Sequence, residues 1–247
     1  LGVLKINPFW RPLEHITAEQ LCISIGGKRA FNTIWKPLLY GKFSSFAPTI
    51  SAAWLWARIK KRTPSLYYIH GGFHTLVDAL SGAIQKQGGI IKTNTSVQNI
   101  KDLKKTFDCV LLTIPTQLAI KIVPDLSLSI QHSALTIPHL HAQVLILETD
   151  KPILNKTYWL NVTDPSYPFL AIVAHTNFMD KKHYGVKNIT YIGNYLPNDH
   201  PNLAMTKDQL LKKFMPYIKR LSPNLPFAIC HLSFFNAPFA QPVHQNN

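Results

Sequence analysis

The sequence predicts an α+β protein built on a mixed, largely antiparallel sheet, and three observations point there. From Gln143 onward, apolar runs of strand length recur at short intervals: 143–148, 157–162, 169–175, 189–196 and 228–235. Helical periodicity is concentrated ahead of them, and one helical pattern, 206–221, interrupts them. Strands that follow one another through short turns pair antiparallel, whereas a doubly wound sheet needs a helix after each strand.

The elements can be justified in order. Thr17-Ala18-Glu19-Gln20 is a capping box, in which the hydroxyl and the Gln20 amide satisfy each other's backbone, and it starts a helix to about Ala30. Residues 50–62 form a second helix; Trp54 and Arg58 lie one turn apart and can stack, the plainer reading being a core tryptophan beside a solvated arginine. Gly71-Gly72 opens a third helix, in which Phe73, Leu76, Val77, Leu80, Ala83 and Ile84 share one stripe. Gly88 sits where a left-handed cap is wanted, and Gly89 lets the chain turn into Ile90-Ile91. Residues 95–100 read as a short strand with Val97 and Asn99 on one face. Residues 107–114, nearly all apolar, read as a strand covered on both faces, which Pro115 ends. In the last helix, Leu210, Leu211, Phe214 and Ile218 form the buried stripe, and Pro216 is expected to kink or split it. Pro197 and Pro201 mark a loop.

Composition narrows the function classes. A 46% hydrophobic chain of 247 residues can bury a sizeable core. No apolar run approaches the roughly 18 residues of a spanning helix, and no charged-then-apolar leader opens the chain. Three widely spaced cysteines in apolar surroundings predict buried, reduced thiols, hence a cytoplasmic location. The net charge of +14 is spread over separate turns and helices, as at Lys60-Lys61-Arg62 and Lys212-Lys213. It reads as a solvated basic face and not as a nucleic-acid surface, since no aromatic-plus-basic signature accompanies it. His70 and His74 have helical i,i+4 spacing but no zincin glutamate between them, and His139 and His141 would share a strand face; no metal site is expected. There is no G-x-S-x-G nucleophile elbow, and twelve acidic residues supply few candidate carboxylate pairs.

One ordered set of motifs goes further. Gly71-Gly72 with Leu76, Gly88-Gly89 with Ile91, Thr95-Ser96-Val97 with Ile100, and Phe107-Asp108 through Thr113 and Pro115 resemble the flavin-dependent amine oxidase superfamily. The likeness is to its protoporphyrinogen oxidase-like and UDP-galactopyranose mutase-like members. Flanking segments are similar too, among them Trp35-Lys36-Pro37-Leu38-Leu39 with Lys42-Phe43, Trp54 through Arg58, Tyr158 through Asn161, and Tyr191 through Tyr195. The resemblance implies FAD as cofactor, with Val97 presenting its backbone to the adenine and Thr113 and Pro115 where the crossing strand enters the cofactor domain. It also implies Trp159, Asn161, His175 and Tyr195 as residues lining the substrate face of a sheet. The domains implied are 1–68, a helical part of the substrate domain, 69–124, part of the FAD-binding α/β domain, and 125–247, the substrate-domain sheet.

The sequence departs from that family in one large respect. Complete members hold the FAD pyrophosphate at a G-x-G-x-x-G turn between strand and helix, and no glycine pair here fits that spacing. The chain therefore reads as a central portion or truncated relative of an FAD-dependent oxidoreductase acting on a small-molecule substrate by hydride transfer to flavin. Its missing Rossmann segment would be supplied elsewhere. The other readings are a flavin-dependent isomerase of the galactopyranose mutase type, and a non-catalytic binding module.

Overall fold

The computed structural model describes residues 2–223 and 227–246. The chain forms two compact units, Leu1–Arg62 with Ile137–Asn247, and Thr63–Thr136.

The first unit begins with helices. α1 (Gly2–Ile6) is followed by α2 (Ala18–Ala30), which starts at the predicted capping box. The Gln20 backbone N–H donates to Thr17 Oγ1 at 3.1 Å and the Thr17 backbone N–H to Gln20 Oε1 at 2.8 Å. A π-helical turn, Phe31–Trp35, leads into α3 (Lys36–Phe43), and α4 (Ala52–Lys61) follows with Ser51 as its cap. Phe31, Leu39, Phe43, Ile50 and Leu55 form their common core, closed from the sheet side by Leu140 and Val243.

The second unit contains α5 (Phe73–Lys86), α6 (Lys101–Lys104), α7 (Thr116–Ile122) and α8 (Leu128–Leu135). α5 ends as predicted: Gly88 has a φ of 85° and the Gly89 N–H reaches the Ile84 carbonyl at 2.9 Å. His70 precedes α5, so the expected histidine pair does not share a helical face; His74 lies 3.5 Å from Asp78 instead. The strands expected at 95–100 and 107–114 are not formed. A strand exists by virtue of its ladder, and among the described residues neither segment has a partner. Apart from Ile100, which is 5% exposed, their apolar side chains are largely uncovered, with Phe107 57% and Leu111 84% exposed, and α5 buries no residue of its apolar stripe. The short helices α6 to α8 escape sequence analysis because four to eight residues are too few to show a period.

The rest of the first unit is a five-stranded sheet, β1 (His139–Thr149), β2 (Trp159–Asn161), β3 (Ala171–Ala174), β4 (Asn188–Leu196) and β5 (Ile229–Pro242), in the order β2-β3-β4-β1-β5. Every pairing in it is antiparallel, which removes the parallel component from the expected mixed sheet. α9 (Lys207–Leu221) closes one face. Leu210, Phe214 and Ile218 pack on Leu145, Leu147, Ile172 and Ile192. Pro216 does not split α9; it sits on the exposed side, where water can bind the carbonyl it frees.

Cys22 is buried, and burial pushes its thiol up to about 11, but Cys109 and Cys230 are exposed, against expectation. Cys109 lies in the uncovered 107–114 segment and Cys230 on edge strand β5, so neither has a covering layer. No helix among the described residues is long and apolar enough to cross a membrane, and no group of three metal-ligating side chains occurs among them.

The packing makes a sharp contrast testable. Phe214, 1% exposed beneath the sheet, should cost about 3–5 kcal/mol on truncation to alanine. Phe235, 58% exposed on the opposite face, should cost less than about 1 kcal/mol. Chemical denaturation of the two variants checks this; equal losses would contradict the assignment of a sealed and an open face.

Candidate functional site

The register of the ladders fixes which side chains share the face opposite α9, because alternate residues of a strand point to opposite sides. Trp159, Val173, Tyr191 and Ile146 form one row across that face. Asn161, Ala171, Gly193, Val144 and Phe235 form the next, and Tyr195 with Ala142 the one after. The middle row is low at its centre: a Cβ added to Gly193 would meet nothing within 4 Å. The face is thus an apolar, aromatic-edged trough, with Trp159 53% exposed at one side and Phe235 at the other.

Helices α2 to α4 border one end. Tyr195, projecting from β4, packs against their core. The Lys42 ammonium lies 4.0 Å from the Tyr195 ring centroid and 5.6 Å from that of Phe43. Phe43 meets Trp54 edge-on at 4.8 Å, and the Arg58 guanidinium lies 5.9 Å from the Trp54 ring. Burial and the neighbouring Arg58 charge push the Lys42 ammonium down to about 8. Among the described residues, no carboxylate forms an ion pair with either cation. A cleft of about 500 Å³ beside Tyr195 is lined by Tyr40, Lys36, Asp164, Tyr167 and Asn194.

The four residues expected on the substrate face all fall on this side of the sheet. Trp159 Nε1 donates to Asn161 Oδ1 at 2.9 Å, which fixes the indole over the trough edge. Tyr195 stands at the helical end. His175, just past the end of β3, is 5% exposed; its Nε2 lies 2.6 Å from the Tyr184 hydroxyl and its ring meets Tyr191 edge-on. Burial lowers its pKa from the ordinary 6.5, so it stands neutral at pH 7. The residues expected on the cofactor side lie in the other unit. Val97 is 38% exposed in unpaired chain, Thr113 is exposed, and Pro115 caps α7. A hydrogen bond from the Ile100 N–H to the Ile122 carbonyl, 2.9 Å, ties the end of the Val97 segment to α7.

Sequence reasoning passed over Val144, Ile146 and Phe235, because a half-exposed apolar side chain on a strand is indistinguishable from a core one without the register. Tyr191 and Gly193 were within reach: alternation from Tyr195 places both on its face.

Solved structures share this fold. A candidate protoporphyrinogen oxidase from Exiguobacterium sp. 255-15 superposes with a TM-score of 0.70 at 13% identity, over 100% of this chain and 60% of its own. Reduced UDP-galactopyranose mutase gives 0.71 at 11% identity, over 93% and 56%. An oxidoreductase from Methanosarcina mazei gives 0.68 at 13%, over 98% and 60%. The chain has their fold. It spans less than two thirds of the length of each, and identities this low carry the fold alone. No family model and no curated protein matches the sequence.

The Lys42 geometry predicts an unusual pH dependence of stability. The unfolded chain keeps its Lys42 proton up to the ordinary value of 10.5 while the folded chain releases it near 8. Wild-type stability should therefore rise as pH climbs through that window, because the unfolded state then binds more protons. Lys42→Met should melt higher than wild type below pH 8, and the advantage should shrink toward pH 10.5. A constant advantage in melting scans at both ends would contradict the assignment.

Proposed function

We propose that this chain is the substrate-side part, with some of the adenine side, of an FAD-dependent oxidoreductase that oxidises a small molecule by hydride transfer to flavin. The observation that carries the reading is the open, aromatic-edged sheet face in a fold held in common with solved oxidoreductases. A sheet sealed by α9 on one side and bare on the other suits a platform for a flat or apolar ligand. Trp159 and Asn161, hydrogen-bonded to each other, would orient that ligand, and Tyr195 with Val144 would exclude water beneath it. His175, buried between Tyr184 and Tyr191, would hold Tyr191 in place.

The fit to FAD is partial. Val97 and the chain around it are accessible, as an adenine contact requires, and the uncovered stripe of α5 with Ile90 and Leu111 suits burial under further strands of a dinucleotide-binding sheet. Among the described residues no glycine-rich turn joins a strand to a helix, so the pyrophosphate has no cradle here. Bound flavin would supply the hydride acceptor; the residues present position substrate and shield it. We assign the cytoplasm on cysteine spacing alone.

Flavin uptake tests this. The purified chain should show little or no visible flavin absorption after incubation with FAD. Co-expression with a strand, G-x-G-x-x-G turn and helix from a protein of this fold should produce the bound-flavin band, and Val97→Pro, which distorts the adenine-side backbone, should weaken it. Failure of every complemented chain to take up flavin overturns the enzyme reading in favour of a binding module. Turnover of a nucleotide sugar by the reduced complex without oxygen uptake would move the assignment to an isomerase.

A further inference from the structure

We propose that Lys42 and Arg58 form an oxyanion subsite at the helical end of the open sheet face, so that the molecule held on that face carries a carboxylate or phosphate group. The inference rests on the reading of that face as the substrate face, and it names the substrate's charge class.

Arg58 lies near enough for its charge to bear on the Lys42 ammonium, which is partly buried while Arg58 is exposed. Each lies on an aromatic surface, Lys42 on Tyr195 and Phe43, Arg58 on Trp54, and the edge-on contact of Phe43 with Trp54 joins these into one platform. Ring faces attract cations, but only weakly compared with an ion pair, and they do nothing to reduce the repulsion between the two charges. Lysines elsewhere do find acids: Lys101 lies 3.2 Å from Asp125, and Lys182 lies 3.2 Å from Asp180, both pairs on exposed surface. Lys42 is drawn half out of water and has no such partner among the described residues, although burial raises the cost of leaving a charge unpaired. A negatively charged group bridging the two would remove both penalties.

The position suits a ligand's end. Tyr195, under the Lys42 ammonium, belongs to the row beside the trough over Gly193, so a molecule whose body lies on Val144 and Phe235 extends toward the cations along the strand direction. The guanidinium offers a planar fork of donors and the ammonium a point charge, which together satisfy several lone pairs of one oxyanion. The rest of the face offers the neutral polar groups of Asn161, Tyr191 and Ser233, and Glu148 and His231 stand at the end of the face away from Tyr195. Specificity for an acid over its amide or ester would therefore reside in this pair.

The test reads Lys42 directly and needs no flavin, so its failure is separable from failure of the oxidoreductase assignment. The full chain is reductively methylated with ¹³C-formaldehyde, and the Lys42 signal is assigned by its loss in Lys42→Arg. Benzoate and inorganic phosphate are each titrated in, with chloride at equal ionic strength as the control for screening. The proposal expects a saturable shift with at least one oxyanion, none with chloride, and a titration midpoint that moves up from about 8. Arg58→Gln should weaken the oxyanion about tenfold, the order of one charge-assisted hydrogen bond, while Arg58→Lys retains most of the affinity and guards against a folding defect. A benzoate preference assigns a carboxylate substrate, a phosphate preference a phosphorylated one. A Lys42 signal that follows chloride and the oxyanions alike, or an Arg58→Gln curve that overlays wild type, overturns the subsite.

Discussion

Packing of α9 on one face of the antiparallel sheet is the interaction on which the first unit depends. Phe214, Leu210 and Ile218 are essentially inaccessible, and each contributes on the order of 2 kcal/mol through the apolar surface it removes from water. That layer makes the register of β1 against β4 and β5 consequential. A slip of one residue would exchange the α9-facing leucines for Val144 and Ile146 and turn the sheet inside out. What α9 seals on one side it therefore exposes on the other, and the trough is the complement of the core.

The same logic separates the two units. The first has a finished core beneath its sheet and a second core among α2, α3 and α4. The second places its apolar stripe and its two extended segments in contact with solvent, an arrangement single proteins seldom tolerate without a partner for the surface. Its local structure is nonetheless well specified. The glycines that open and close α5 adopt the left-handed conformations their positions require, and the cap hydrogen bonds are made. Local encoding and tertiary coverage are independent properties, and this unit has the first without the second.

Legibility in the sequence followed that division. Signals carried within a few residues were readable: the Thr17 capping box, the α5 stripe, the Gly88 cap and the five sheet strands. Signals that depend on a distant partner were not. Residues 107–114 have the composition of a strand covered on two sides, yet a composition cannot supply the ladder, and without one the segment stays unpaired. Exposed Cys109 was misjudged for the same reason. That Pro216 leaves α9 unbroken was not readable either, since the outcome of a helix proline depends on whether its side of the helix is wet. Of the site, Trp159, Asn161, His175 and Tyr195 were named from a resemblance, and the alternation of β4 extends that set to Tyr191 and Gly193. The Lys42 and Arg58 pairing was out of reach, because fifteen intervening residues and a turn must fold before the two side chains come near each other.

The central claim is that the sheet has one sealed face and one face bare for a ligand. Hydroxyl-radical footprinting of the native chain measures this residue by residue. Trp159 and Phe235 should oxidise readily while Phe214 and Phe169 stay unmodified until the protein unfolds. Protection of Trp159 and Phe235 to the level of Phe214 would contradict the account.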